Sequence, residues 1–575
     1  MARQLDNPFY YLENFEFVLT WVGQRYADVL DHDELGFIQQ YRGLPQASRA
    51  LLARMVMRRG ALFRHGRLHY TEIGCVQEAL APLAQGGWVN LNPLLNLEQA
   101  FGLFTKPELL LAFAGHGLAP ALSKKAMFEH LSAQAAPSAF RHHEQDSHEH
   151  HSSINTEPPA TIRDCALPLR QWWPDADDEV CELLIMPMCE RFRLMFFGNM
   201  RQDWSEFVLA DLGLYQYETV AFSDSCRAMD TRQDVDDYLH LHECAERLRA
   251  NDDLQAIMAC IPAQPYANHW IERRRAKLLF RIGQACERAQ KWEDALQAYG
   301  ASSHGEARVR RVRVLERTLQ HESALLCAEE ALKSPAGDAE AQLLARMQPR
   351  LRRKLGLPVQ VESALPPPQT FQIDVPHAAA QRVEEVAREY LHRDDAPVHY
   401  VENTLINSLF GLLCWDAIFA PLPGAFFHPF QRGPADLHDP GFSLRRKDLL
   451  KTCLSQLESD QYRHTIQENF AAKYGRQCSF VHWPLLNDAV LQQALHCIPP
   501  THLKKWCERL LVDIPGNRSG LPDLIQFQPA TKNYRMIEVK GPGDRLQDNQ
   551  RRWLAYFAQH GMPVAVCFVR WTESP

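Results

Sequence analysis

The sequence predicts a multidomain, mainly α-helical chain that ends in a smaller α/β domain. Three observations lead there: the length of 575 residues, apolar residues at helical spacing over most of the chain, and short strand-like apolar runs after residue 515. At about 150 residues per domain, such a length corresponds to roughly four compact units. Hydrophobic residues at 46% and charged residues at 23% allow most of the chain to bury a core, which excludes a fibre and a disordered tail.

A formal net charge of −8 argues against coating nucleic acid by charge alone, so any contact with it is regional. The fifteen cysteines contain no C-x-x-C pair, which excludes a zinc ribbon, a zinc finger and a thioredoxin-like site and reads as reduced thiols inside a cell. The start MARQLDNPFYYLENF lacks the basic-then-apolar run of a signal peptide, and no stretch reaches the ~20 apolar residues of a membrane span. A cytoplasmic location with no membrane partner is expected.

Residues 1–70 read as an N-terminal helical region, because FEFVLTWVGQRYADVL and ASRALLARMVMRRG carry apolar residues at helical spacing. A second unit is expected over 71–260. In it, FTKPELLLAFAGHGLAPALSKKAMFEHL forms two short amphipathic helices joined by Gly115, His116 and Gly117. This layout resembles a SAP-type DNA-binding hairpin, with Lys106 opening its first helix and Lys124 and Lys125 its second. Each cation placed on a phosphate adds salt-dependent affinity; the bland alternative is a helical hairpin with solvated lysines.

Between 132 and 162 the chain is rich in His, Ser, Pro and Glu and nearly devoid of large apolar groups, as a linker would be. Its His142, His143, His148, His150 and His151 lack neighbours that would fix a metal-binding geometry. The segment LLIMPMCERFRLMFFGNMRQDWSEFVLADLG is expected to close the second unit before residue 260.

Over 261–356, Leu279, Gly283, Ala295 and Tyr299 fall at the spacing of a tetratricopeptide repeat, and Ala324, Ala328, Ala331 and Pro335 suggest a weaker second copy. So few repeats serve as a helical spacer rather than a long groove. The run Arg308, Arg310, Arg311 and Arg313 reads first as a solvated helix face. The Pro-rich stretch 356–376 is taken as the last boundary, which leaves 377–575 for the α/β domain.

That domain carries the chemistry. Leu524–Phe527 and Arg535–Val539 are expected to be strands joined by the polar turn Gln528–Asn533, with a helix after Gly541-Pro542-Gly543. Alternation puts Glu538 and Lys540 on one face, and Asp523, at the start of the neighbouring strand, reaches the same face. Two carboxylates gathered there are costly unless a cation joins them, and oxygen ligands suit Mg²⁺ or Mn²⁺.

Pro522-Asp523, then Glu538-Val539-Lys540 after a spacing of fifteen residues, matches the PD-(D/E)xK nuclease signature. Gln550 shares a stripe with Leu546, Trp553, Leu554 and Phe557, where a polar amide needs a partner. Upstream, VENTLINSLFGLLCWDAIF is apolar nearly all round. Glu402 is expected in the first turn of that helix, in line with Ile406, Leu409 and Leu413, either as a charge favoured by the helix dipole or as a third metal ligand.

Together SGLPDL, IEVKGPGDRLQDNQRRWL and VENTLINSLFGLLCWDAIF resemble the VRR-NUC domain of the Fanconi-associated nuclease family. FFGNMRQDWSEFVLADLG, the SAP-like hairpin and the tetratricopeptide-like region follow that family's order, so the resemblance covers most of the chain. It implies N-terminal, SAP-like and tetratricopeptide-like helices followed by an α/β PD-(D/E)xK nuclease domain. The implied activity is a structure-specific DNA nuclease, monomer or dimer, that cuts 5′ flaps and trims 5′ ends of branched DNA in interstrand crosslink repair. It further implies one or two ions held by Glu402, Asp523, Glu538 and the Val539 carbonyl, Lys540 beside the attacking water, and Gln550 ordering the site.

The zinc finger that animal members use to bind ubiquitin is missing from this sequence, which suggests a bacterial, nucleoid-associated form without ubiquitin binding. The competing readings are a non-catalytic DNA-junction scaffold, against which the intact carboxylate set speaks, and a Holliday-junction resolvase. More than 350 residues of accessory sequence favour an asymmetric substrate over the resolvase.

Overall fold

The computed structural model describes residues 7–135, 161–204, 207, 215–223, 226–359, 368–376 and 381–572. The chain divides into two compact units, Met1–Leu212 and Gly213–Pro575. The expected linker, with its five histidines, lies almost wholly outside the described residues. Its flanks are described and meet: Ala135 bridges to Thr161, and Ile162 N–H donates to the Gln134 carbonyl at 3.0 Å.

In the first unit, helices Tyr10–Arg25, His32–Arg42 and Gln46–Val56 come first. Tyr10–Arg25 buries Tyr11, Phe15, Val18 and Val22, the i, i+4, i+7 stripe of an amphipathic helix. His32–Arg42 opens on a capping box between Asp31 and Glu34, which satisfies amide donors that a helix start leaves free. The strands β1 (Leu62–Arg64), β2 (Val89–Asn90), β3 (Leu95–Asn96), β4 (Ala166–Leu167) and β5 (Val180–Leu183) follow. They pair as a β1-β5-β2 sheet and a β3-β4 ribbon.

The SAP-like hairpin consists of helices Lys106–Ala112 and Lys124–Ser132, with Gly115 and Gly117 both at positive φ in the connection. One expectation fails here. The helix Met186–Phe197 does not close a separate second unit but packs on Tyr10–Arg25, and its Phe192 stacks on Phe37 at 5.9 Å between ring centroids. Six side chains of this helix, from Cys189 to Phe197, are buried, more than a single-faced surface helix can hide. The chain therefore returns to complete the N-terminal core.

In the second unit, helices His269–Arg288, Trp292–Gly300, Ala307–Arg317, His321–Lys333 and Asp338–Lys354 pack each against the next. Gly283 is needed there, since a Cβ would stand 2.6 Å from the Tyr299 ring. Within the arginine run, Arg308 pairs with Glu340 at 2.5 Å and Arg310 with Glu287 at 3.5 Å, while Arg311 and Arg313 are exposed.

The α/β domain is built on a five-stranded sheet. Its strands are β6 (Gln369–Pro376), β7 (Val398–Tyr400), β8 (Leu524–Gln528), β9 (Asn533–Lys540) and β10 (Val564–Thr572), in the order β6-β10-β9-β8-β7. β10 runs parallel to both β6 and β9, and β8 is antiparallel to β7 and β9.

The edge strand β6 lies inside the stretch read as a boundary, so the sheet begins before residue 377. Phe371, Ile373 and Val375 alternate with polar residues there and turn toward the core. The helix Asp548–Gln559 connects β9 to β10 and buries Trp553, Leu554 and Phe557. Among the described residues no helix is long and apolar enough to cross a membrane.

Candidate active site

The β8-β9 hairpin brings the acids together by register. Leu524 lies opposite Ile537, so one step further along the antiparallel pair sets Asp523 opposite Glu538. The spacing of fifteen residues is thus the arithmetic of a hairpin whose two ends carry carboxylates. Asp523 accepts a hydrogen bond from the Val539 N–H at 2.7 Å, which fixes its carboxylate against the strand.

Glu538, fully buried, is held from two sides through the same oxygen. Lys540 Nζ lies 2.9 Å from Oε1, and Gln550 Nε2 donates to it at 2.5 Å. Gln550 is aimed by its own backbone neighbourhood: its Oε1 accepts from the Gln547 N–H at 2.8 Å in a capping box, which leaves the amide nitrogen to face Glu538.

Glu538 Oε2 is buried without a hydrogen-bond partner. An ionised carboxylate oxygen cannot remain so without a cation or a proton. Burial first, then repulsion from Glu402 and Glu384, pushes Asp523 up to about 7, against the opposing Val539 hydrogen bond. Burial and the neighbouring Asp523 push Glu538 up to about 8, with Lys540 opposing. The acids therefore stand where a positive charge is wanted, and an all-oxygen donor set fits a hard divalent ion.

Glu402 does not sit where the sequence suggested. The apolar helix starts at Leu405, and Glu402 precedes it in the turn after β7. Pairing with β8 carries the chain extended up to Val401: Tyr400 lies opposite Leu524, and the Val401 N–H donates to the Asp523 carbonyl at 2.8 Å. The Glu402 carboxylate accepts from Tyr400 Oη at 2.5 Å and from Asn403 Nδ2 at 3.1 Å. Asn403 also takes the Leu521 N–H at 3.1 Å, tying this turn to the Pro522-Asp523 loop.

Glu402 is thus within electrostatic range of Asp523 and Glu538 but has its own partners. Among the described residues no three His, Cys, Asp or Glu side chains are arranged to hold a metal ion, so Glu402 does not join Asp523 and Glu538 in a ready ligand set.

Sequence reasoning missed Glu384, in the first turn of the helix Val383–Leu391, which packs on β7 and β9 and raises Asp523. Glu384-Glu385 in an amphipathic helix carries the signature of a solvated face, so no local pattern separates it. Of the SAP-like lysines, Lys106 and Lys124 open their helices as expected. Lys124 Nζ donates to the Phe104 carbonyl at 2.7 Å, and Lys125 lies 3.9 Å from Glu129 with both side chains well exposed.

Comparison with known proteins agrees with this layout. The chain matches the VRR-NUC domain over residues 457–571, the "FAN1, HTH domain" over 9–90, and the Fanconi anemia-associated nuclease SAP domain over 94–140. It is 50% identical to the Fanconi-associated nuclease 1 homolog of Pseudomonas aeruginosa over 99% of this chain and 97% of that protein. It is 23% identical to the homolog of Oryza sativa subsp. japonica over 97% of this chain, which spans 62% of the rice protein.

The crystal structure of paFAN1 bound to DNA with a two-nucleotide 5′ flap and a gap superimposes with a TM-score of 0.88. It is 49% identical and both chains are fully covered. With half of its residues shared along nearly the whole chain, this protein belongs to the Fanconi-associated nuclease family.

Proposed function

We propose that this chain is a structure-specific DNA nuclease that uses a divalent ion, Mg²⁺ or Mn²⁺, to hydrolyse phosphodiester bonds at 5′ flaps and 5′ ends, in the repair of interstrand crosslinks. The observation that carries the proposal is Glu538: a buried carboxylate with one oxygen held by Lys540 and Gln550 and the other without a partner. The 49% identical relative seen with 5′-flap DNA supports the choice of substrate.

Asp523 and Glu538 would hold the ion, with Glu402 as third carboxylate and the Val539 carbonyl as a further ligand. Such an ion supplies a nucleophile at neutral pH and offsets charge on the phosphate. The chain's own groups do the rest. The Val539 N–H fixes Asp523, Gln550 fixes Glu538, and Lys540, beside Glu538, would orient the attacking water or offset charge on the phosphoryl oxygens. Lys106, Lys124 and Lys125 would contact DNA phosphates.

End-labelled 5′-flap and 3′-flap duplexes incubated with Mg²⁺ or Mn²⁺ test the assignment. Wild type cuts the 5′ flap, and Asp523→Ala binds the same DNA with no cleavage. A pure, folded wild type inert on flaps, ends and single strands would leave a scaffold instead.

A further inference from the structure

The N-terminal unit contains a cavity of about 330 Å³, lined by Tyr10, Tyr11, Arg54, Arg58, Tyr70 and Trp204 among others. Its walls carry aromatic rings and two guanidinium groups, with Asp203 as the one carboxylate among the lining residues. The Arg54 guanidinium lies 3.6 Å from the Tyr11 ring centre and 4.9 Å from that of Tyr70, and Arg58 covers Tyr70 at 5.3 Å.

Arg54 is balanced by Glu72 at 2.7 Å. Arg58, exposed at the rim, donates to the Arg67 carbonyl at 3.1 Å, stands beside the Tyr70 hydroxyl and forms no ion pair among the described residues. At the floor, Tyr11 is 1% exposed and its hydroxyl, although beside Arg54 and Glu72, makes no well-formed hydrogen bond. The Tyr70 hydroxyl is likewise buried, beside Arg58 but with no well-formed hydrogen bond. Unmet phenol groups inside a polar cavity call for a ligand with hydrogen-bonding edges.

We propose that this cavity binds one unpaired nucleotide of single-stranded DNA, its base stacked into the tyrosine-arginine ladder and its phosphate against Arg58. A base offers a flat π face to extend the ladder, polar edges for the phenols and an adjacent anion for the uncompensated guanidinium. A metal ion is disfavoured by the two arginines, and an aliphatic ligand would leave the hydroxyls unmet. The inference rests on the DNA-nuclease reading only for the source of the nucleotide.

The test uses the full chain and single-stranded oligonucleotides carrying 2-aminopurine, with a duplex of equal length as control. Binding changes the 2-aminopurine signal in the single strand, and Arg58→Ala and Tyr70→Ala each weaken that binding about tenfold, while duplex binding and cleavage of a 5′ flap at saturating DNA are retained. Tyr70→Phe keeps the stacking signal. Should Tyr70→Ala fail to fold, the exposed Arg58→Ala decides by itself. Equal single-strand affinity in wild type and Arg58→Ala, or a loss that is the same for duplex, overturns the proposal. A wild type that cleaves nothing would instead count against the nuclease reading, and the binding comparison still stands.

Discussion

At the scale of single residues, the balance between protons and a cation at Asp523 and Glu538 governs the site. Their folded pKa values, raised to about 7 and about 8, exceed those of an unfolded chain, near ~4. Between pH ~4 and those values the ion-free folded chain holds protons that the unfolded chain has lost. Stability in EDTA therefore falls as pH rises through this window and levels off above it. Thermal melts across that range check this, with Asp523→Asn flattening the fall and melting higher than wild type at pH 8 in EDTA. Ion binding releases protons and tightens with rising pH over the same interval, which calorimetry in buffers of different ionisation heat measures.

Gln550 acts by positioning. Gln550→Ala should lower divalent-ion affinity or turnover roughly 10–100-fold without changing DNA affinity, the signature of an outer ligand that orients an inner one. A KM for DNA that rises while ion dependence stays unchanged would contradict that role.

At the scale of elements, the hairpin, the loop before it and the helix after it form one device. Gly520 has a φ of +85°, and a Cβ there would meet the Asn549 backbone at 2.7 Å, so the loop leading to Asp523 closes directly on the helix that carries Gln550. Gly520→Ala strains both and should cut turnover while DNA binding persists, which single-turnover kinetics resolve. In the helical array, Gly283→Ala forces a methyl against the Tyr299 ring and should cost about 1–3 kcal/mol by denaturant melts, with flap cleavage kept in the folded fraction.

The strand-turn-strand reading of 524–539 needed only alternation and turn residues and agrees with β8 and β9. The first turn assigned to Glu402 did not survive, because pairing with β8 decides the backbone at 398–400.

At the scale of the whole molecule, a chain of net charge −8 is expected to meet DNA through regional cationic surfaces. Replacing Lys124 and Lys125 together by alanine should weaken DNA binding for all sequences alike and lower the salt slope by about 1–2, measured by titration at several salt concentrations. Lys124, already bonded to the Phe104 carbonyl, is the smaller contributor of the two.

The sequence alone named the side chains that come together, Asp523, Glu538, Lys540 and Gln550, and that a hairpin would join the two acids. Those features depend on neighbours along the chain, through strand alternation and a register that fixes Asp523 opposite Glu538. Only tertiary structure decided that Glu402 stands in a turn bonded to Tyr400, that Glu384 comes close enough to raise Asp523, and that β6 adds an edge to the sheet. It also decided that the helix Met186–Phe197 folds back on the N-terminal core. Apart from the Tyr400 contact itself, these depend on partners more than 100 residues away, and the energy that selects among them comes from burial and strand pairing across that distance, which no local pattern encodes.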